Sequence, residues 1–275
     1  MSLGNIATNL SALTGLNQLN VLNDKLSKTM QQISTGSKVN SASDDPAAFA
    51  LGRKQAVKIN SLTAAQNNIK EASSMLQVAE SQQGHAQDML MEITSDLQRA
   101  VSSTVGSSER KVINTKLQQY VDEVKDIAKN TQFNGVKLLS ASSMNFVIQV
   151  GETGKDTLAV TISGIGNHDL GLSGVSCSTQ TAASAALSAI SKAVSSLTIR
   201  RENIGARMSR LSQKLSGLGV DILNTQAVQS LYLDADLAQS EVSLTKGQIL
   251  QSATISMLSQ ANSAPQALMQ LLPRS

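Results

Sequence analysis

The longest regular pattern in the chain starts at Leu62 and steps alternately by three and four residues. It runs Leu62, Ala65, Ile69, Ala72, Leu76, Ala79, Gln83, Ala86, Leu90, Ile93, Leu97 and Ala100, and only Gln83 interrupts its apolar character. A second series reads Leu187, Ile190, Val194, Leu197, Arg201, Ile204, Met208, Leu211, Leu215, Leu218 and Ile222, with Arg201 as the single departure. A shorter one contains Ile113, Leu117, Tyr120, Val124 and Ile127. Such spacing places side chains along one face of a helix that packs over its whole length. It predicts helices over about 46–104, 109–129 and 182–223. At 1.5 Å per residue the first would be roughly 85 Å long and the last roughly 60 Å, a rod rather than a sphere. Ala alternating with Leu or Ile lets helices approach closely, so the first long helix is expected to pack on the second, with the third alongside.

Between these helices the period changes. Asn134-Gly135 in "TQFNGVKLL" is a strong turn signal. The runs "FVIQV" (146–150) and "TLAVTI" (157–162) alternate at period two and put Phe146, Ile148 and Val150, and Leu158, Val160 and Ile162, on common faces. Joined by "GETGKD", they predict a β-hairpin region over about 133–165. The Gly- and Ser-rich stretch 163–181 reads as an irregular return to the second long helix.

The chain ends form a separate class. Leu3, Ile6, Leu10, Leu13, Leu16, Leu19, Leu22, Leu26, Met30 and Ile33 step by three or four, as do Met257, Ala261, Ala264, Leu268 and Leu271. Both are amphipathic helices whose outer faces carry Asn, Gln, Ser and Thr, and neither has enough apolar surface to fold alone. A pair of them would leave apolar seams uncovered, which predicts completion by neighbouring molecules; Leu3, Ile6, Leu10, Leu13, Met257, Leu258, Ala261, Leu268 and Leu271 are the candidate self-assembly residues. The bland alternative is an ordinary antiparallel pair docked on its own domain.

The stretch "ISTGSKVNSASDDPAAF" separates the first terminal helix from the rod. Gly36 can take a positive φ and break the first helix near Ile33. Asp45 accepts from free helical N–H groups and Pro46 is preset for the first helical position, so the long helix begins at Pro46. Gly36, Asn40, Asp44, Asp45 and Pro46 are the candidate connector residues. The predicted fold class is mainly α: a long coiled-coil helical rod with a small β-hairpin region, plus paired N- and C-terminal helices. Its expected domains are a discontinuous terminal assembly domain, 1–43 with 232–275, and a rod domain, 44–231.

Composition narrows the function. The chain has 275 residues, no Trp, 2 Tyr, 3 Phe and 3 Pro, so its core relies on aliphatic helix seams. Charged residues are 16%, and the polar faces are mostly neutral, which suits packing against copies of itself. The net charge of +3 is scattered; its densest cluster, "RRENIGAR", carries a Glu and reads as a solvated or interfacial face rather than a nucleic-acid site. No apolar run approaches the ~20 residues of a membrane span, and no cationic start precedes an apolar signal region. His85 and His168 stand apart, Cys177 has no base near it in sequence and reads as a passive loop thiol, and no H-E-x-x-H occurs. Asp44 and Asp45 are explained by capping, and "GIGNHDLG" lacks the Lys-Ser/Thr of a phosphate loop. No catalytic, cofactor-binding or metal site, and so no enzyme, is expected.

"ISTGSK" followed by "NSASDDPAA" resembles the connector after the first terminal helix of bacterial flagellins. "NTQFNGVKLL" is similar to that family's turn after its second rod helix, and "SLGNIATNLSAL" and "SMLSQANSAPQALMQLL" resemble its N- and C-terminal signatures. Lying in order from end to end, these motifs make the resemblance cover essentially the whole chain. It implies a subunit that polymerises into the flagellar filament, with terminal helices folding on assembly into an inner tube. It also implies extracellular localisation, export through the flagellar secretion apparatus without a cleaved signal peptide, and dealings with an export chaperone and with cap and junction proteins. The short return over 163–181 implies a minimal form without large outer domains. "SDDP" is also similar to the hook–filament junction protein of the superfamily, a second reading; a secreted coiled-coil protein engaging a host or chaperone helix is a third.

Overall fold

A computed structural model describes residues 9–140, 143–166 and 168–270, with side chains described only to 263 in the last stretch. The described residues form five helices, α1 (Leu10–Thr35), α2 (Pro46–Val101), α3 (Ser107–Asn130), α4 (Gln180–Leu233) and α5 (Leu237–Gln270), and four short strands. The strands are β1 (Gln132–Phe133), β2 (Val136–Lys137), β3 (Ser143–Gln149) and β4 (Thr157–Ser163). The fold is mainly α, as the periodicity predicts. The chain divides into two compact units, Met1–Val57 with Asn224–Ser275, and Lys58–Leu223, so α2 and α4 each contribute to both.

Two helix limits differ from expectation. α2 ends at Val101 rather than near 104 because Arg110 caps it: Nε donates to the Ala100 carbonyl at 2.9 Å and Nη2 to that of Ser102 at 2.8 Å. α4 continues past 223 to Leu233, where Asp236 ends the break by accepting from Gln239 N at 3.0 Å and so capping α5. The seam lost its regularity at Ile222, but nothing in "NTQAVQSLYL" forbids a helix.

In the unit Lys58–Leu223, α2 and α4 run antiparallel, as paired positions show: Gln66 beside Gly219, Glu80 with Arg201, Gln87 with Thr198. All twelve positions of the first seam are buried, Gln83 included. On α4 the buried set is Ala183, Ala186, Ile190, Ala193, Leu197, Ile204, Leu211 and Leu218, whereas Leu187, Val194, Met208, Leu215 and Ile222 are only partly buried beside it. The seam is thus rotated by one residue from the expected one in the first half of the helix, because Ala186 and Ala193 allow a closer approach than Leu187 and Val194 would. α3 shows the same displacement: Val121 and Ala128 join Ile113, Leu117 and Val124 in the core, and Tyr120 and Ile127 flank it. Arg201, the polar departure on α4, bonds Glu80 through Nε and Nη2 at 3.0 and 2.6 Å, and Gln87 at 3.0 Å.

Asn134 and Gly135 have φ of 49° and 79°, the paired left-handed conformation of a two-residue hairpin turn joining β1 to β2. β3 and β4 pair antiparallel with Phe146 opposite Val160 and Ile148 opposite Leu158. Their inward faces, with Ile148, Leu158, Val160 and Ile162, are buried. The hairpin is tied to α2 by Asn68, whose amide donates to the Gln149 carbonyl at 3.2 Å, and by Gln83, whose amide donates to that of Ser163 at 3.0 Å.

The return to α4 is irregular but packed. Ile165, Leu170, Leu172 and Cys177 are buried in the core. Arg200 holds the carbonyls of Gly164 and Asp169. Asn114 accepts from Cys177 N at 2.9 Å, and Gln118 donates to the Val175 carbonyl at 2.6 Å. Cys177 is therefore a loop thiol buried in the core, and burial raises its thiol pKa. One further departure concerns α4, which contains an 18-residue window of mean hydropathy 1.3, apolar and long enough to cross a membrane. The Ala-rich composition that lifts its hydropathy also forms the inner face buried at Ala183, Ala186, Ile190 and Ala193.

Candidate assembly surface and connector

The unit Met1–Val57 with Asn224–Ser275 is built on the pairing of α1 with α5. Asn9 starts α1: its Oδ1 accepts from Ala12 N at 3.1 Å, and its Nδ2 donates to the Ala261 carbonyl at 2.7 Å. Further along, Gly15 faces Leu258, Asn23 accepts from Gln251 at 2.7 Å, and Gly247 lies under Leu26. Partner numbers fall as α1 numbers rise, so the helices are antiparallel. A Cβ at Gly247 would lie 2.6 Å from Leu26 Cδ2, too close without movement, so glycine admits the leucine there.

The inward face of α1 consists of Ala12, Gly15, Leu19, Leu22, Leu26, Thr29 and Ile33; that of α5 consists of Ser240, Leu244, Gly247, Gln251, Thr254, Leu258 and Ala261. Both step alternately by three and four, and both are rich in small or polar residues. Other large apolar side chains point outward: Leu10 is 69% exposed, Leu13 58% and Met257 73%. Leu16, Val21, Met30, Val242, Ile249, Leu250 and Ile255 are also exposed. Of the candidate assembly residues, Leu258 and Ala261 thus face α1, half-buried, while Leu10, Leu13 and Met257 lie on the outer faces. Leu268 falls within α5 but its side chain lies outside the described residues, as do Leu3, Ile6 and Leu271 altogether. Sequence spacing missed Gly15, Thr29 and Gly247, since apolar counting passes over small positions. The single glycine of each helix, Gly15 on α1 and Gly247 on α5, was the available signal.

The connector is an ordered loop. Gly36 has φ 68° at the end of α1. Asp44 Oδ2 accepts from Asn40 N at 3.1 Å, Ser41 N at 3.0 Å and Ser41 Oγ at 3.2 Å, while its Oδ1 meets Lys28 Nζ of α1 at 2.8 Å. The Lys28 ammonium, then the Ser41 and Asn40 amides, hold the Asp44 carboxyl down at about 2. Asn40 Nδ2 donates to the Ser37 carbonyl at 3.0 Å. Asp45 Oδ1 accepts from Ala47 N and Ala48 N, each at 3.0 Å, and so caps α2 at Pro46. Lys28 was absent from the sequence candidates because a helix-face lysine looks solvated until the loop folds back onto it.

Seams packed along their length, a small hairpin and outward apolar stripes on the paired ends define a structural, helix-rich protein. The bacterial flagellin N-terminal helical region matches residues 6–144 and the bacterial flagellin C-terminal helical region residues 187–272. The chain belongs to the bacterial flagellin family, a family of structural proteins. It is 30% identical over 286 residues to a flagellin of Listeria innocua, covering 97% of this chain and 99% of that protein. It is 28% identical over 279 residues to the flagellar filament 30.7 kDa core protein of Treponema maltophilum, covering 96% and 98% respectively. A solved flagellar hook-associated protein of Vibrio parahaemolyticus shares the fold, with TM-score 0.59 and 16% identity over 69% of this chain and 99% of that one. At that identity the likeness speaks to fold alone, and the filament names among the relatives do not favour a junction role. Only residues 145–186 lie between the two family regions, in keeping with a minimal form.

Proposed function

We propose that the chain is a structural subunit that polymerises with copies of itself into an extracellular flagellar filament. Assembly runs through the terminal pair, with residues 1–43 and 232–275 as the assembly segments and 44–231 as the rod. The observation that carries this reading is the outward placement of Leu10, Leu13, Leu16, Met30, Ile249 and Met257, while the faces between α1 and α5 mix Leu19, Leu22, Leu26, Leu244 and Leu258 with small or polar residues. A single helix pair that leaves so many large apolar side chains exposed is marginal by itself, and neighbouring subunits supply the missing cover. Ordering of the ends and polymerisation then form one coupled event. A subunit with unfolded ends also suits export through the narrow flagellar secretion channel without a cleaved leader. An export chaperone, cap and junction proteins are the further partners of this reading, which includes neither catalysis, nucleic-acid binding nor membrane insertion.

The test is electron microscopy of the concentrated full chain beside Leu13→Asp and Met257→Asp variants. Exposed substitutions change monomer stability by only about 0.5 kcal/mol or less, so circular dichroism should be unaltered. The wild type should form tubular filaments and the variants should not. Filaments of normal length from both variants would remove the outer faces from the assembly role.

A further inference from the structure

Both helix breaks in the terminal unit meet at one point. After Gly36 turns the chain at φ 68°, residues 36–38 run antiparallel to 233–235, the short break between α4 and α5. Ala235 N donates to the Gly36 carbonyl at 3.0 Å and Lys38 N to that of Leu233 at 2.6 Å. Ser37 and Asp234 form the bridge pair between those two bonds, in the narrow, non-hydrogen-bonded position of an antiparallel ladder. The Ser37 hydroxyl lies 2.9 Å from the Leu233 carbonyl. Leu233 is itself seated on α2: a Cβ at Gly52 would come within 2.5 Å of its Cδ1 and 2.7 Å of its Cγ, and Gln229 reaches the Gly52 carbonyl. On the other side, Ser230 Oγ donates to Asp234 at 2.6 Å, and Asp236 caps α5.

We infer that this bridge between residues 36–38 and 233–235 is a latch that sets the register of α1 on α5 and nucleates their pairing. Starting from Ser37 opposite Asp234, the same antiparallel order continues through Leu26 with Gly247, Asn23 with Gln251, Gly15 with Leu258 and Asn9 with Ala261. The helix interface alone specifies register poorly. Register-specific contacts are few, Leu26 over Gly247, Asn23 with Gln251 and Asn9 with Ala261, and small or polar residues such as Ala12, Ser240 and Thr254 lie between them. The first turn of a helix is its costly step, and joining two segments at one end shortens the loop that pairing must close. The latch supplies both a fixed start and a fixed alignment. This inference concerns pairing within one chain: on the filament reading the free ends are only marginally ordered, and the latch biases them toward the paired state before neighbours add their contacts.

The experiment uses the full-length dilute monomer carrying Ser37→Cys and Asp234→Cys. A narrow pair has Cα atoms about 4.5 Å apart, inside the range a disulfide accepts. Reduction removes the side-chain bonds of the latch and oxidation restores the link covalently, so one variant gives both states. Peptide mapping separates the new bond from buried Cys177. Amide hydrogen exchange is then read over 12–33 and 240–261, with 62–100 as the internal reference. Oxidation is expected to slow exchange of the terminal helices at least about tenfold against the reduced form, and to leave the reference unchanged. Failure of the disulfide to form in the folded monomer would overturn the pairing. A formed disulfide with equal exchange in both states would overturn the nucleating role.

Discussion

Gln83 is the one polar member of a twelve-position seam and is 0% exposed. Its Nε2 donates to the Ser163 carbonyl at 3.0 Å, but its buried Oε1 accepts from no group among the described residues. Replacing it by Met keeps an unbranched side chain of similar reach and removes both polar atoms. Two magnitudes compete. Loss of the bond to Ser163 costs about 0.5–1.5 kcal/mol, and that carbonyl belongs to a half-buried residue at the end of β4, where water can replace the donor. Relief of an unsatisfied buried oxygen returns about 1–3 kcal/mol. The second term wins, and Gln83→Met should stabilise the unit Lys58–Leu223 by about 1 kcal/mol, which for this size raises its Tm by about 2–4 °C. Scanning calorimetry of the monomer reads that shift. Hydrogen exchange should at the same time show faster opening of β4 near Ser163. A Tm lowered by a similar amount would refute the reasoning and make the Gln83–Ser163 bond the anchor of the hairpin. A polar residue retained in a seam at some cost in stability is a known device for fixing helix register.

Asp45→Ala removes acceptance from two N–H groups at the start of α2 and should cost about 1 kcal/mol, seen as altered filament melting or waveform with the fold intact; unchanged melting and waveform would reduce the connector to a passive linker. Gly205→Ala adds a Cβ with no atom within 4 Å on an exposed face of α4, so it should stabilise the monomer by about 1 kcal/mol in thermal unfolding, and a loss would place a neighbour there. The Asp44 carboxyl, lowered from 3.8 to about 2, contributes stability that is complete above its unfolded value and disappears as pH falls through its folded one. Connector amides 40–44 should therefore lose exchange protection between about pH 4 and pH 2. Lys28→Ala should move the Asp44 titration upward in carboxyl NMR, and an unmoved midpoint would deny the ion pair its role.

Some of these features depend on local sequence and others on a distant partner. The seam from Leu62 to Ala100 was legible because its period is unbroken and only one face of the helix is apolar. The start of α2 was legible because Asp45 and Pro46 act on their own helix, and the Asn134-Gly135 turn because both residues tolerate a positive φ. On α4 the alternatives differ by one residue, Ala186 or Leu187, Ala193 or Val194, and both choices are apolar. Periodicity cannot decide between them, and the closeness of α2 does. On α1 the apolar series divides: Leu10, Leu13 and Leu16 are exposed, whereas Leu19, Leu22 and Leu26 face α5 beside Ala12 and Gly15. Which stripe turns inward is settled by the shape of the opposing helix, where Gly247 receives Leu26. The pairing of Lys28 with Asp44 and of Ser37 with Asp234 was invisible for the same reason. Capping and turn formation are local energies written within a few residues, whereas register and latch contacts join segments up to 252 positions apart, and only the folded chain brings those together.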